Sequence, residues 1–171
     1  MHDDDERWMT RAIEFAHKAD YRTSPNPMVG AVVLDSAGKV AGEGFHAAKG
    51  SPHAEEMALA AAGAKAGAGT IYVNLEPCTH THRSTPCAEA IVSAGIKRVV
   101  VAMSDPDERV RGAGIERLRS AGLRVDVGTS TAAADLEVAR DPRVVDADSA
   151  AFGRDHLGDG ANYPGEHLST R

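Results

Sequence analysis

Ile71-Tyr72-Val73-Asn74-Leu75 runs into Glu76-Pro77-Cys78; after a polar loop over 79–84 the chain continues through Thr85-Pro86-Cys87 to Gly95, then from Lys97 to Met103. The first five residues, largely β-branched or aromatic, predict a strand. Thr85-Pro86 sets a capping residue and a proline at a helix start, and Gly95 supplies the stop, so a helix is predicted over 86–94. Lys97 to Met103 is a near-continuous apolar run, the pattern of a buried strand. A helix over 112–121, Gly122 and a strand over 123–127 complete a last βαβ step.

Upstream, Trp8, Ala12, Phe15, Ala16 and Ala19 recur at helical spacing, which predicts an amphipathic helix over 7–21. Ser24-Pro25-Asn26-Pro27 ends it in a turn. Strands over 28–34 and 39–45 flank the turn Asp35-Ser36-Ala37-Gly38 and read as a hairpin, with Gly42 and Gly44 marking a bulge or a close backbone approach. Ser51-Pro52 reads as an N-cap and first helical residue, starting a helix over 53–63. This alternation predicts a three-layer α/β domain over 7–140, with a sheet covered on both faces. Residues 1–6 are expected to be disordered, and 141–171, lacking periodicity, to be loosely packed or disordered.

At 171 residues the chain is long enough for one domain with an ordinary core. Aromatics are only 4% of it, so that core must be built from Val, Ile, Leu and Ala. A net charge of -6 argues against a nucleic-acid partner, whose phosphates need Lys and Arg. One or two basic side chains would still suffice for a small phosphorylated substrate. No apolar stretch is long enough to span a bilayer, and the acidic N-terminus has no signal-peptide pattern. A cytoplasmic location and no membrane partner follow as expectations.

The chemistry concentrates in His53-Ala54-Glu55, Cys78 and Cys87. One histidine and two cysteines make three zinc ligands with a fourth position open, the pattern of catalytic rather than structural sites. All three fall near predicted helix starts, where partial positive charge favours thiolate over thiol. Zinc there would make bound water far more acidic than bulk water. Glu55, two residues past His53, is placed to move that water's proton. Two other readings of the cysteines stand beside this one: a structural zinc closed by His80 or His82, and a Cys78–Cys87 disulfide.

With these residues in view, the sequence resembles the cytidine-deaminase-like superfamily, and within it the riboflavin-pathway deaminases. The resemblance covers roughly 7–127. It rests on Pro25-Asn26-Pro27-Met28-Val29-Gly30, Gly44-Phe45-His46, His53-Ala54-Glu55, Leu75-Glu76-Pro77-Cys78, Thr85-Pro86-Cys87 and Asp105-Pro106. Eight residues separate Cys78 from Cys87, where related deaminases generally have two and the riboflavin-pathway family has eight. The resemblance implies a three-layer α/β/α cytidine-deaminase-like fold with a five-stranded mixed sheet. It implies hydrolytic deamination of a diaminopyrimidinone ribosylamino 5′-phosphate, with Zn2+ on His53, Cys78 and Cys87 and Glu55 as proton shuttle. It implies substrate contacts at Asn26, His46, His80, Arg83, Asp105 and Asp107, and self-association into a homo-oligomer. The competing assignments are a turn residue for Asn26, a polar strand end for His46, and solvated loop residues for His80 and Arg83.

The departures from the family pattern gather on the substrate side. Thr81 and His82 stand where the family has a second histidine and a glycine, and Ser84-Thr85-Pro86-Cys87 replaces Thr-Pro-Pro-Cys. Asp107-Glu108 replaces Asn-Pro and adds negative charge, which Arg109 and Arg111 can offset. The chain ends about 45 residues after the resemblance does, so no reductase domain is expected. Two alternatives follow: a specialised paralogue deaminating another pyrimidine or nucleoside-like heterocycle in secondary metabolism, and a non-catalytic binding subunit on the same fold.

Overall fold

A computed structural model describes residues 3–24, 26–80, 85–106 and 110–128. Its elements are α1 (Asp3–His17), β1 (Gly30–Leu34), β2 (Val40–Phe45), α2 (Ala54–Ala62), a 3-10 turn (Gly63–Ala66), β3 (Thr70–Val73), α3 (Cys87–Ser93), β4 (Arg98–Val101), α4 (Ala113–Ser120) and β5 (Arg124–Val127). The strands form one sheet in the order β2-β1-β3-β4-β5. β1 is antiparallel to both β2 and β3, while β3, β4 and β5 run parallel. The sheet is therefore mixed and five-stranded, and the helices linking β3, β4 and β5 provide the crossovers that parallel pairing needs.

Alternation along the strands divides the core. Ala31, Val33, Ile71, Val73, Val99, Val101 and Val125 meet α2, α3 and α4 on one face; Val32, Leu34, Tyr72 and Val100 meet α1 on the other. These are the three predicted layers. α2 lies close on β2 through small residues: a Cβ on Gly42 would come 2.2 Å from the Ala58 carbonyl oxygen, and one on Gly44 would come 2.5 Å from that of Ala54. The close approach holds for both glycines and the bulge beside Gly42 alone, since the β1–β2 register shifts between Val33 and Leu34, opposite Gly42 and Val40.

Several boundaries differ from the sequence expectation. The helix begins at Asp3, which corrects the expectation of disorder over 1–6 for residues 3–6. Asp5 is buried and accepts hydrogen bonds from Tyr72 Oη (2.8 Å) and from Arg98 (2.7 and 2.8 Å), which anchors the first turn. The helix ends at His17, not 21, because Asp20 and Tyr21 adopt left-handed φ of 49° and 57°. His53 itself is the N-cap of α2, in place of Ser51, and the Glu56 carboxylate accepts its backbone N–H at 2.8 Å. Pro86 likewise caps α3, one residue later than Thr85. The expected tail over 141–171 lies outside the described residues. Among those described, no helix is long and apolar enough to cross a membrane.

Candidate active site

Antiparallel pairing of β1 with β3 brings the start of β1 beside the end of β3, with Ala31 opposite Val73. The N-termini of α2 and α3 converge on the same place. Asn74 locks the corner: its buried amide accepts from Gly30 N (2.9 Å) and donates to Met28 O (3.1 Å). The segment after it carries Cys78, whose backbone carbonyl accepts from Ala88 N of α3 at 3.1 Å.

His53, Cys78 and Cys87 thereby gather, their ligand atoms all within 4.8 Å of one another. His53 Nδ1 is 3.2 Å from Cys87 Sγ and 3.7 Å from Cys78 Sγ. Two such donors on a tetrahedral zinc, with bond lengths of about 2.05 and 2.3 Å, stand about 3.6 Å apart. The cluster fits that ion, and its soft donor set suits it. His80 does not join this group, and His82 lies outside the described residues. The cysteines are both free thiols.

The three donors share protons. A hydrogen bond from Cys87 holds the Cys78 thiol well below its ordinary range, and Cys87 is pushed up in return. The hydrogen bond to Cys78 raises His53 to about 9, against the effect of burial. A metal cation takes the place of these protons, so its capture is coupled to their release.

Glu55 follows on the first turn of α2 and is 4% exposed. Burial pushes its carboxyl up to about 7, with the His53 charge pulling the other way. It lines an open pocket with Asn26, His46, His53, Glu76 and Cys78. Asn26 Oδ1 is buried there without a protein hydrogen-bond partner. A buried acceptor left unpaired costs stability, so it is kept where something else supplies the donor. His46 is fixed by Pro52 O (3.1 Å) and Ser51 Oγ (3.3 Å), and its ring stands edge-on to His53 with centroids 5.4 Å apart.

The remaining predicted contacts are less gathered. His80 is half-buried in the loop after Cys78, outside that lining. Asp105 is buried in the segment after β4, its backbone N–H donating to Glu76 at 3.0 Å. Arg83 and Asp107 lie outside the described residues. Sequence reasoning gave no role to Asn74 or Glu76. Asn74 had only its position as a signal, a polar residue near the end of an apolar strand, while Glu76 stood in the Leu75-Glu76-Pro77-Cys78 motif without a role of its own.

Comparison with known proteins places this geometry. The family described as the cytidine and deoxycytidylate deaminase zinc-binding region matches residues 2–103. The riboflavin biosynthesis protein RibD of Aquifex aeolicus is 53% identical over 72% of this chain and 35% of its own length. The diaminohydroxyphosphoribosylamino-pyrimidine deaminase of Buchnera aphidicola is 44% identical over 72% of this chain and 84% of its own. The solved structure of Acinetobacter baumannii RibD (form 1) superposes with a TM-score of 0.74 at 47% identity, covering 78% of this chain and 38% of that one. The chain spans about a third of the length of the first curated relatives it matches.

Proposed function

We propose that this chain, which belongs to the cytidine and deoxycytidylate deaminase zinc-binding family, hydrolytically deaminates the diaminopyrimidinone ribosylamino 5′-phosphate of riboflavin biosynthesis. The reading rests on one observation: Glu55, the donors His53 and Cys78, and Asn26 with its unpaired oxygen line a single pocket. The name of the Buchnera relative supports the substrate, and the matched length supports the carry-over. In this reading His53, Cys78 and Cys87 hold the zinc. Bound there, the ion supplies the Lewis acidity that makes water nucleophilic near neutral pH.

The chain's own residues do the rest. Asn26 Oδ1 accepts from the pyrimidine edge and turns the amine-bearing carbon toward Glu55. Glu55 takes a proton from the attacking water, gives it to the ring nitrogen, and carries the second to the departing amine. The C–N bond breaks, a carbonyl forms, and one water is consumed for each ammonia released. A carboxyl poised near 7 can both accept and donate under these conditions. His46, His80, Arg83, Asp105 and Asp107 hold the ring substituents and the sugar phosphate. Arg83 suits the phosphate because its fork binds two oxygens.

A second reading, another pyrimidine as substrate, is favoured by the carboxylate at Asp107, where the family carries an amide. Ammonia release from the riboflavin intermediate, assayed beside cytidine, cytosine and guanine, decides between them. No turnover of the intermediate would remove the first reading. Glu55→Gln should lower the rate by roughly 10²–10⁴-fold; undiminished biological activity would favour a non-catalytic subunit. We extend the proposal to a cytoplasmic homo-oligomer. A cysteine pair used as metal ligands suits a reducing compartment, and Met57, 46% exposed on α2, offers apolar surface for a second copy. Light scattering tests the association.

A further inference from the structure

Ser51 does not cap α2; His53 takes that place, and the Ser51 hydroxyl serves the loop before it. Its Oγ donates to Ala48 O at 2.7 Å and accepts from Ala48 N at 3.1 Å. Together with the bond from Ser51 N to Ala48 O at 3.0 Å, this closes the turn over 48–51. Gly50, at a left-handed φ of 81°, reverses the chain within it. The same Ser51 Oγ stands 3.3 Å from His46 Nδ1, and the Pro52 carbonyl oxygen stands 3.1 Å from that nitrogen.

These two contacts assign the ring's proton. A carbonyl oxygen only accepts, and the Ser51 hydroxyl proton is committed to Ala48 O. Nδ1 is therefore the donor, and in the neutral ring Nε2 carries the lone pair. His46 lines the pocket, so what its Nε2 can offer a bound molecule is an acceptor. That suits a hydroxyl or an amine N–H, and not a phosphate dianion, which has no proton to give. The neighbours of this ring are anchored without Ser51. The His46 backbone N–H donates to Val29 O at 2.9 Å. The His53 N–H is held by Glu56 at 2.8 Å, and its carbonyl accepts from Met57 N at 3.1 Å. Ser51 itself lies outside the pocket lining. Removing its hydroxyl would therefore loosen the His46 ring and leave the metal ligand in place.

We propose that Ser51 is a positioning residue: its hydroxyl orients the His46 ring with Nδ1 protonated, so that Nε2 meets a hydroxyl or amine N–H of the substrate as a hydrogen-bond acceptor. This inference rests on the reading above, in which His46 contacts the substrate. Ser51→Ala removes the hydroxyl at nearly constant volume, and Ser51→Thr keeps it.

The test is made on the full, zinc-loaded chain at about pH 8, where an ordinary histidine is neutral. Imidazole 15N NMR of the wild type, with His46 assigned by comparison with His46→Gln, should show Nδ1 protonated and Nε2 bare. The opposite tautomer would overturn the proposal without any Ser51 variant having to fold. Zinc per chain, kcat and KM for the riboflavin intermediate are then measured in a double-mutant cycle. Ser51→Ala should keep its zinc, hold kcat within about threefold and raise KM about three- to tenfold. Ser51→Thr should return KM to within about twofold of wild type. In the His46→Gln background, Ser51→Ala should change KM by less than about twofold, because its effect passes through that ring. An equal rise in both backgrounds, loss of zinc, no rise at all, or no rescue by Thr would each overturn the role of Ser51. A wild-type chain inactive on the intermediate refutes the substrate reading alone, and the cycle is then run on whichever of cytidine, cytosine or guanine it deaminates. Inactivity on all of them refutes both.

Discussion

Gly44→Ala tests how closely the site depends on the packing of α2. A Cβ at position 44 would stand 2.5 Å from Ala54 O, 2.5 Å from Met57 Cβ and 2.6 Å from Ala58 N. Two of these atoms are helix backbone, which cannot swing aside as a side chain can. Ordinary contact begins at 3.4 Å, so the helix must retreat by about 0.9 Å. The displaced turn is the one that carries His53 and Glu55. Overpacking of this kind costs roughly 1–3 kcal/mol, or a fall in Tm of about 3–10 °C for a chain of this size. A displacement near 1 Å lowers turnover by about 10²-fold. Thermal unfolding and ammonia release measure the two effects. Gly38→Ala is the control: nothing lies within 4 Å of its Cβ, and its φ of +76° limits the effect to local strain, about 1 kcal/mol. A Gly44→Ala protein with wild-type Tm and rate would refute the argument that the glycine sets the helix position.

Three further outcomes follow from the geometry. Cys78→Ser or Cys87→Ser should reduce zinc from about one ion per chain to near none by elemental analysis, since a tetrahedral site loses one of only three protein ligands. Arg98→Ala should cost about 3 kcal/mol in urea unfolding, because Asp5, with 6% of its side chain exposed, loses its cation. Burial lowers the pKa of His46 below its ordinary 6.5. Its unfolded form takes up a proton first as pH falls, so wild-type stability should drop below pH 6.5, and His46→Gln should flatten that slope.

Most of the architecture was legible from periodicity. The apolar run around Val99-Val100-Val101 can only be a buried strand, and left-handed glycines such as Gly95, at φ 74°, end helices where the sequence places them. The starts of α2 and α3 slipped by a residue or two because caps depend on who accepts a hydrogen bond, as with Glu56 at His53. The end of α1 was misplaced because Ala19 keeps helical spacing while the backbone at Asp20 turns left-handed. In the site, His53, Glu55, Cys78 and Cys87 could be named because metal chemistry restricts both ligand type and spacing. Asn74 and Glu76 could not, since their partners, Gly30 and Gly114, lie 44 and 38 residues away.

By itself, then, the sequence determined most of the element types and marked His53, Cys78 and Cys87 as candidate ligands with Glu55 beside them as a candidate proton carrier, all from local or compositional properties; the burial of Glu55 came from the structure. Only the tertiary structure decided that β1 runs antiparallel to β3, that His53 Nδ1 faces two sulfurs, and that Asn26 buries an oxygen with no protein partner. The physical reason is range. Propensity, capping and ligand preference act over a few residues, whereas the pocket is closed by contacts between segments that only sheet pairing and helix packing bring together.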